Sequence, residues 1–450
     1  MTIETYHASK AAAKPLVLRV RDCIKGQHHM QMQGHIYLPY VGGMVARWDN
    51  GGKEQYEAYK KRARFTNLVQ DTENGIIGLA FKDEPISETP FDTFEGNIRV
   101  QAKITNNGRT AELLARSQLR EILETGGGVM VVDAPSGSGG DPYVAEYPSE
   151  CLIDWAVDDN DNSRLIAIKL REEYFQDVDT YKINKKIRFR QYLIEDGRVN
   201  VYLQNDKGED LQDVFTIPLS YIPVFTPGSV DNLPDLDPIP LLPVADSAIA
   251  MYQISADYRQ WLHVQGQGTV VITGADGAAC EQAFSQGMGT GACWGIDGDN
   301  VKVNILESSA GQIENYMKAM DHERLIAEQY MIAVTSQGSG IEAAESLKLR
   351  AATKHATVHS VINSLSTGIQ DVLNCMSEWA GKSGKSVFKI SADFTENEIN
   401  SQLITALNAA VNSQNLPKSV IQNAVRKAKL IDLTNEQMDG EILDNSSGAA

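Results

Sequence analysis

The chain has 450 residues, enough for two or three domains and several hydrophobic cores. Its 41 Lys and Arg stand against 59 Asp and Glu, and the formal charge of −18 excludes a protein that grips nucleic acid along its whole surface, because such binding is driven by cations displacing counterions. At 42% hydrophobic and 22% charged, the composition excludes a disordered or wholly coiled-coil chain, and no run approaches the ~18 apolar residues that would span a bilayer.

Met1 to Pro15 lacks the basic-then-apolar pattern of a signal peptide. Cys23, Cys151, Cys280, Cys293 and Cys375 are far apart and never form a CxxC pair. They read as reduced thiols of a cytoplasmically made protein, with neither a disulfide frame nor a zinc site. Met1 to Arg64 departs from the overall acidity, with eleven basic side chains against five acidic ones, a net of +6. A helix is predicted from about Gly52, with Tyr56, Tyr59 and Ala63 on one side and the Lys60–Arg64 cluster on the other. That cluster reads first as a solvated face and alternatively as a contact for an acidic partner.

Thr110 to Thr125 is predicted as a second helix with a stripe of Ala111, Ala115, Leu119 and Ile122, stopped by Gly126. The continuous run Val129–Asp133 predicts a buried strand. Gly126-Gly127-Gly128 precedes that strand, whereas a phosphate cradle follows one, so the triple glycine predicts a turn. From Tyr143 to Phe225 an antiparallel meander is expected: strands at 151–157, 165–170, 187–194, 199–203 and 214–219, with Asp196-Gly197 as a hairpin turn. Asp158–Asn162 lacks the central Gly and closing Glu of a calcium loop and reads as a plain turn.

After the proline-rich link Pro234–Pro243, helices are expected at Ala245–Gln265 and Gly311–Ala333. Between them lies a glycine-rich stretch with short strands such as Val270–Thr273. Ser336-Gln337-Gly338-Ser339-Gly340 is a polar, flexible segment, and a long helix follows over Glu345–Ala380. There Val358, Ile362, Leu365, Ile369, Val372, Met376 and Trp379 keep a strict four-three spacing, so one apolar seam must face several elements or subunits. A strand at Val387–Asp393 and a helical tail from Phe394 complete the chain.

No catalytic constellation emerges. His355 and His359 have the i,i+4 spacing of zinc-binding helices, but no Glu stands between them and no third ligand is evident. His28, His29 and His35 fall where no regular element is predicted. Glu172, Glu173 and Glu345 have no evident partner. Neither a GxSxG elbow nor a GxxxxGK[ST] phosphate loop occurs, and no metal or cofactor site is expected.

The order of elements, together with Leu123–Asp133, Tyr147–Trp155, Leu170-Arg171-Glu172, Ile217-Pro218, Ile222-Pro223, Pro240–Leu262 and Ala392-Asp393-Phe394, resembles that of tailed-bacteriophage portal proteins. It is closest to the portals grouped under a domain of unknown function. The resemblance runs over residues 50–440 and implies an α+β portal fold. An α/β wing would span 1–237, including an N-terminal extension without counterpart up to about Gly52. A stem helix at 238–265, a small α/β clip at 266–310 and a second stem helix at 311–333 would follow. A tunnel loop at 334–344, a long wing helix with the returning strand at 345–393, and a helical crown at 394–450 would complete it.

The resemblance also implies a function without enzymatic activity. The chain would form a homo-oligomeric ring, commonly of twelve subunits, at one capsid vertex of the virion, through which double-stranded DNA is packaged and ejected. Its partners would be the terminase large subunit, the major capsid and scaffolding proteins and the head–tail adaptors, with no membrane. Ser336, Gln337, Gly338, Ser339 and Gly340 would face the DNA. Lys318, Arg324, Lys348 and Arg350 are candidates for lumenal or inter-subunit charges. Of these, Lys318, Arg324 and Lys348 have acidic neighbours at helical spacing and Arg350 has none. The alternatives are a cytosolic metal-dependent hydrolase built on His355, His359 and a distant carboxylate, or a different head–tail connector ring.

Overall fold

The computed structural model describes residues 5–95, 98–134, 141–158, 160–179, 182–265, 269–285, 300–306, 311–331 and 344–391. All belong to the unit Met1–Ala392, so the expected crown lies outside the described residues. Helix and sheet are mixed throughout, as an α+β chain requires.

The chain opens with two helices that its patterning does not predict, α1 (Ala8–Ile24) and α2 (Gly26–Gln33). Ala13, Val17, Val20 and Cys23 recur at three- and four-residue spacing and are buried, which holds α1 together despite Pro15 within it. A short α3 (Gly42–Val45) leads to α4 (Lys53–Arg62), the helix expected from Gly52, with Tyr56 and Tyr59 buried. Helix α5 (Leu68–Ala80) is capped by Asn67, whose side chain accepts the Gln70 N–H. Then come β1 (Ile86–Glu88) and the antiparallel pair β2 (Thr93–Glu95) and β3 (Ile98–Val100).

Helix α6 (Ala111–Thr125) begins one residue after its expected start, with Thr110 at its N-cap, ends where expected and buries the expected stripe. It stops at Gly126, whose φ of +87° is left-handed and whose place against the Asp237 carbonyl leaves no room for a Cβ. Gly128 donates its N–H to the Pro227 carbonyl at 2.7 Å, so the triple glycine is a turn. It delivers β4 (Val129–Asp133), which pairs with β5 (Tyr143–Tyr147).

The meander follows as β6 (Leu152–Asp158), β7 (Asp161–Asp179), β8 (Lys182–Glu195), β9 (Arg198–Asn205) and β10 (Phe215–Ile217), a five-stranded antiparallel sheet in the order β10-β9-β8-β7-β6. Asp196 and Gly197 take φ of 50° and 74°, the two positive values of a type I′ hairpin. The 158–162 turn closes with the Asn160 N–H on Asp158 Oδ1 at 2.9 Å. Strands β7 and β8 run past their predicted ends: their register continues to Gln176↔Asn184, beyond the last pairings with β6 and β9. Strand β11 (Val224–Phe225) returns to the free side of β4, giving the three-stranded sheet β11-β4-β5.

Helix α7 (Leu242–Gln265) begins three residues ahead of its predicted start. Its first two-thirds carry Val244, Ala245, Ala248, Tyr252 and Ala256, all buried where α1, α4 and α5 pack on it. Next come β12 (Thr269–Thr273), an unpredicted helix α8 (Gly277–Ser285), β13 (Lys302–Leu306) and α9 (Gly311–Met331). The long helix α10 (Ala344–Trp379) has 36 residues, roughly 54 Å at ~1.5 Å each. Strand β14 (Val387–Lys389) pairs antiparallel with β1.

The seam of α10 needs no second subunit over most of its length. Ile362, Leu365, Ile369, Val372 and Met376 are buried, and the helix packs on α6, β4, β11 and β14 of its own chain. Val358 and Trp379, at the two ends, are half-buried. Polar side chains on the same helix hold the returning strand: Ser366 Oγ accepts the Ile390 N–H at 3.2 Å and Asn374 Oδ1 accepts the Ser386 N–H at 3.2 Å. The long helix therefore completes the core of the α/β body.

Candidate functional site

The part of the unit that leaves this body is the pair α7 and α9 with the segment between them. Past Ala256 no described side chain of α7 is buried, and on α9 Ala327 is the one buried residue among those described. Tyr258, in the last third of α7, lies with its ring 6.1 Å from that of Tyr316 near the start of α9, so the two helices run antiparallel. Beyond their ends β12 and β13 pair antiparallel from Thr269↔Leu306 to Thr273↔Lys302, and α8 lies in the chain between these strands. Leu262, Val303, Met317 and Leu325 are exposed along this arm.

The predicted charged candidates divide. Lys318 Nζ stands 3.4 Å from Glu314 and Arg324 Nε 2.7 Å from Glu328, both i,i+4 pairs within α9. As exposed pairs they contribute only a few tenths of a kcal/mol each. Ser336, Gln337, Gly338, Ser339, Gly340 and the side chains of Lys348, Arg350 and His355 lie outside the described residues. His359 is exposed, and its Nδ1 accepts from the Asn363 amide at 2.8 Å. His29 pairs with Asp22 at 2.7 Å on the unpredicted α2. Among the described residues no group of three or more His, Cys, Asp or Glu is placed to hold a metal. No described helix is long and apolar enough to cross a membrane.

Glu172, which the sequence leaves without a partner, is the centre of a buried ionic network. Its carboxylate accepts from Arg188 Nε and Arg190 Nε, each at 2.6 Å, and from the Tyr147 hydroxyl at 2.6 Å. Arg190 also reaches Asp133 at 2.9 Å. Burial works to raise the Glu172 carboxyl, but Arg190, the Tyr147 hydrogen bond and Arg188 together hold it below its ordinary value. Glu172 lies on β7 directly opposite Arg188 on β8. The alternation Arg188-Phe189-Arg190 puts both guanidinium groups on one face of the sheet, a signal that becomes readable once the register is fixed.

A second ionic cluster fixes α1 to the body. Arg21 meets Glu121 at 2.7 Å, Glu150 at 3.1 Å and also Glu124. Lys10 donates to Ser149 Oγ at 2.7 Å, and burial pushes its ammonium down to about 8 against the pull of Glu150 and Glu121. Behind Glu124 stands Glu73, pushed up to about 8 by burial and by that neighbouring carboxylate, with Arg120 Nε 3.5 Å away. The Lys60–Arg64 cluster is likewise partly engaged within the chain. Lys60 pairs with Glu57 at 2.8 Å, Arg62 reaches Gln260 on α7, and the Arg64 N–H donates to Ser255 at 3.1 Å. Cys23 and Cys375 are buried free thiols, both pushed up to about 12 by burial.

A groove of about 410 Å³ opens between β7, the 220–234 segment and α10, with Tyr221, Thr226, Asn232 and Asp371 on its walls. Tyr221 on its wall is engaged with Glu378 at 2.8 Å. The arm is thus the more distinctive feature. Residues 240–380, which run from the start of α7 to the end of α10, match the family described as Domain of unknown function (DUF4055). No curated protein matches the chain.

Proposed function

We propose that copies of this chain assemble into a portal-type ring at a capsid vertex, conducting double-stranded DNA during packaging and ejection and presenting the tip of the arm to the terminase and then to head–tail adaptors. The observation that carries this reading is the antiparallel pair α7 and α9. It leaves an α/β body, ends in a small β-ribbon with its own helix, and returns toward a 36-residue helix that completes the body's core. That order agrees with the wing, stem, clip, stem and wing helix that the portal resemblance implies, and the matched family covers residues 240–380, from the first helix of the pair to the long helix.

Two further properties support it. The exposed Leu262, Met317 and Leu325 on a two-helix arm lack a core of their own, and a ring of arms side by side would cover them. The net charge of −18 on each chain suits a channel that must pass DNA without holding it. The test is native mass together with negative-stain imaging of the purified chain. Rings with a central hole wide enough for duplex DNA are the expected result. A monomer or dimer that persists at high concentration would overturn the reading.

A further inference from the structure

We propose that the N-terminal helices provide one half of a head-to-tail contact between copies. The apolar surface at residues 32–45 of one copy seats on the β9–β10 edge of the next. This inference rests on the ring reading, and its first surface, residues 32–45, lies outside the span of the portal resemblance.

The first surface is apolar and pre-formed. Met32 is 71% exposed and Ile36 61%, and Tyr40, Val41 and Val45 are exposed beside them in the same short stretch. A run of this kind on the outside of a folded chain marks a surface that is covered in use. It is also rigid. The Tyr40 ring stacks on His35 at 5.2 Å and meets the edge of Trp48 at 5.1 Å and Tyr56 at 4.8 Å, so little side-chain entropy remains to be lost on docking. Residues 23–48 contain Lys25 and Arg47 and no carboxylate, in a chain with 59 acidic side chains. Lys25 is paired with Asp22, whereas Arg47 donates to the Gly43 carbonyl and the Gln55 amide oxygen and has no carboxylate partner among the described residues. Asp49, Glu54 and Glu57 lie beyond this stretch, where Lys53, Lys60 and Lys61 offset them.

The complementary surface occurs on the same chain. In the connection from β9 to β10, Leu211 and Val214 are each 44% exposed, among Asp206, Glu209, Asp210 and Asp213 with Lys207 as the one cation. Asn205 and Gln204 hold Glu209 and Asp210 through neutral amides at 2.7 and 3.1 Å, which orients these carboxylates without neutralising them. Strand β10 is the outer strand of the five-stranded sheet, and among the described residues no further strand pairs on this edge. An apolar, carboxylate-free surface and an apolar, acidic edge on one chain make a heterologous contact. Repeated from copy to copy, such a contact closes a ring or grows a filament.

The test uses the full chain in three forms. Ile36→Asp with Val45→Asp is expected to raise the protomer concentration needed for assembly by about tenfold or more while leaving the thermal transition of the protomer in place. Val45→Cys with Val214→Cys, mildly oxidised, is expected to give a ladder of covalent oligomers that neither single cysteine variant nor the parent shows. Assembly of the parent with no effect of the aspartates and no ladder would overturn this contact and leave the ring reading standing. Failure of the parent itself to assemble would overturn both.

Discussion

Glu73 carries a proton in the folded chain that it would give up on unfolding. Its side chain on α5 faces Glu124 and Arg120 on α6, and Arg21 on α1 bridges to Glu124 from the other side. Burial first, then the neighbouring carboxylate, lift it from 4.5 to about 8, and Arg120 only partly opposes them. Because the folded value is raised, this group's contribution is fully present below pH 4.5 and is lost as pH rises toward 8. Glu73→Gln removes that dependence. It is expected to raise the melting temperature more at pH 8.5 than at pH 5.5, by about 2 °C or more in the difference. Equal shifts at both pH values would mean that Glu73 is ionised in the fold.

Gly126 is constrained twice, by a left-handed φ and by the Asp237 carbonyl against its α-carbon. Gly126→Ala is expected to cost about 2 kcal/mol or more, whereas Gly197→Ala meets only the backbone penalty, since nothing lies within 4 Å of its would-be Cβ. Urea unfolding of the two variants side by side separates the steric from the conformational part.

At the scale of elements, the Glu172 network joins two sheets. Glu172 on β7 accepts from Tyr147 on β5, and Arg190 on β8 donates to Asp133 on β4, so the five-stranded and three-stranded sheets are tied at two points. Glu172→Ala would leave Arg190 buried beside one remaining carboxylate, and removal of one partner from such a pair costs about 3 kcal/mol. Its neighbour Glu173 is exposed on the opposite face, paired with Lys185, and Glu173→Ala is expected to change stability by about 0.5 kcal/mol or less. Thermal unfolding that ranks the two equally would show that the sheets are held by packing alone.

The same elements show what sequence patterning can reach. Helix α6, strand β4, the Asp196-Gly197 hairpin and the seam of α10 are each specified by local periodicity plus a glycine stop or turn, and their predicted and observed places agree. Helix α1 escaped because Pro15 breaks the expected helical composition and its stripe is made of small residues that become a core only against α7. Strands β7 and β8 ran longer than their apolar stretches because their backbones continue to pair with each other past the last apolar residues. The partners of Glu172 come from β5 and β8, and no window along the chain contains them both. The seam of α10 was visible, but what covers it was not, since α6, β4, β11 and β14 arrive from both sides in sequence.

At the scale of the whole molecule, the arm is separable from the body by construction. The core of the body is completed by α7 as far as Ala256, by α1 and α4 to α6, and by the seam of α10, none of which draws on residues 269–306. The antiparallel pairing of Thr269 with Leu306 brings the two ends of the distal segment together, so a short Gly-Ser turn in place of 266–310 can link α7 to α9 without moving either helix. If assembly depends on the body and the helix pair, as the ring reading holds, the shortened chain should still form rings of correspondingly lower mass. If the distal ribbon is the docking tip, those rings should lose binding to the terminase large subunit that the parent rings show. Rings of both forms that bind equally would move the docking surface back onto the body. Rings of neither form binding would make the chain a head–tail connector that does not engage the packaging motor, with the same architecture serving a later step in assembly.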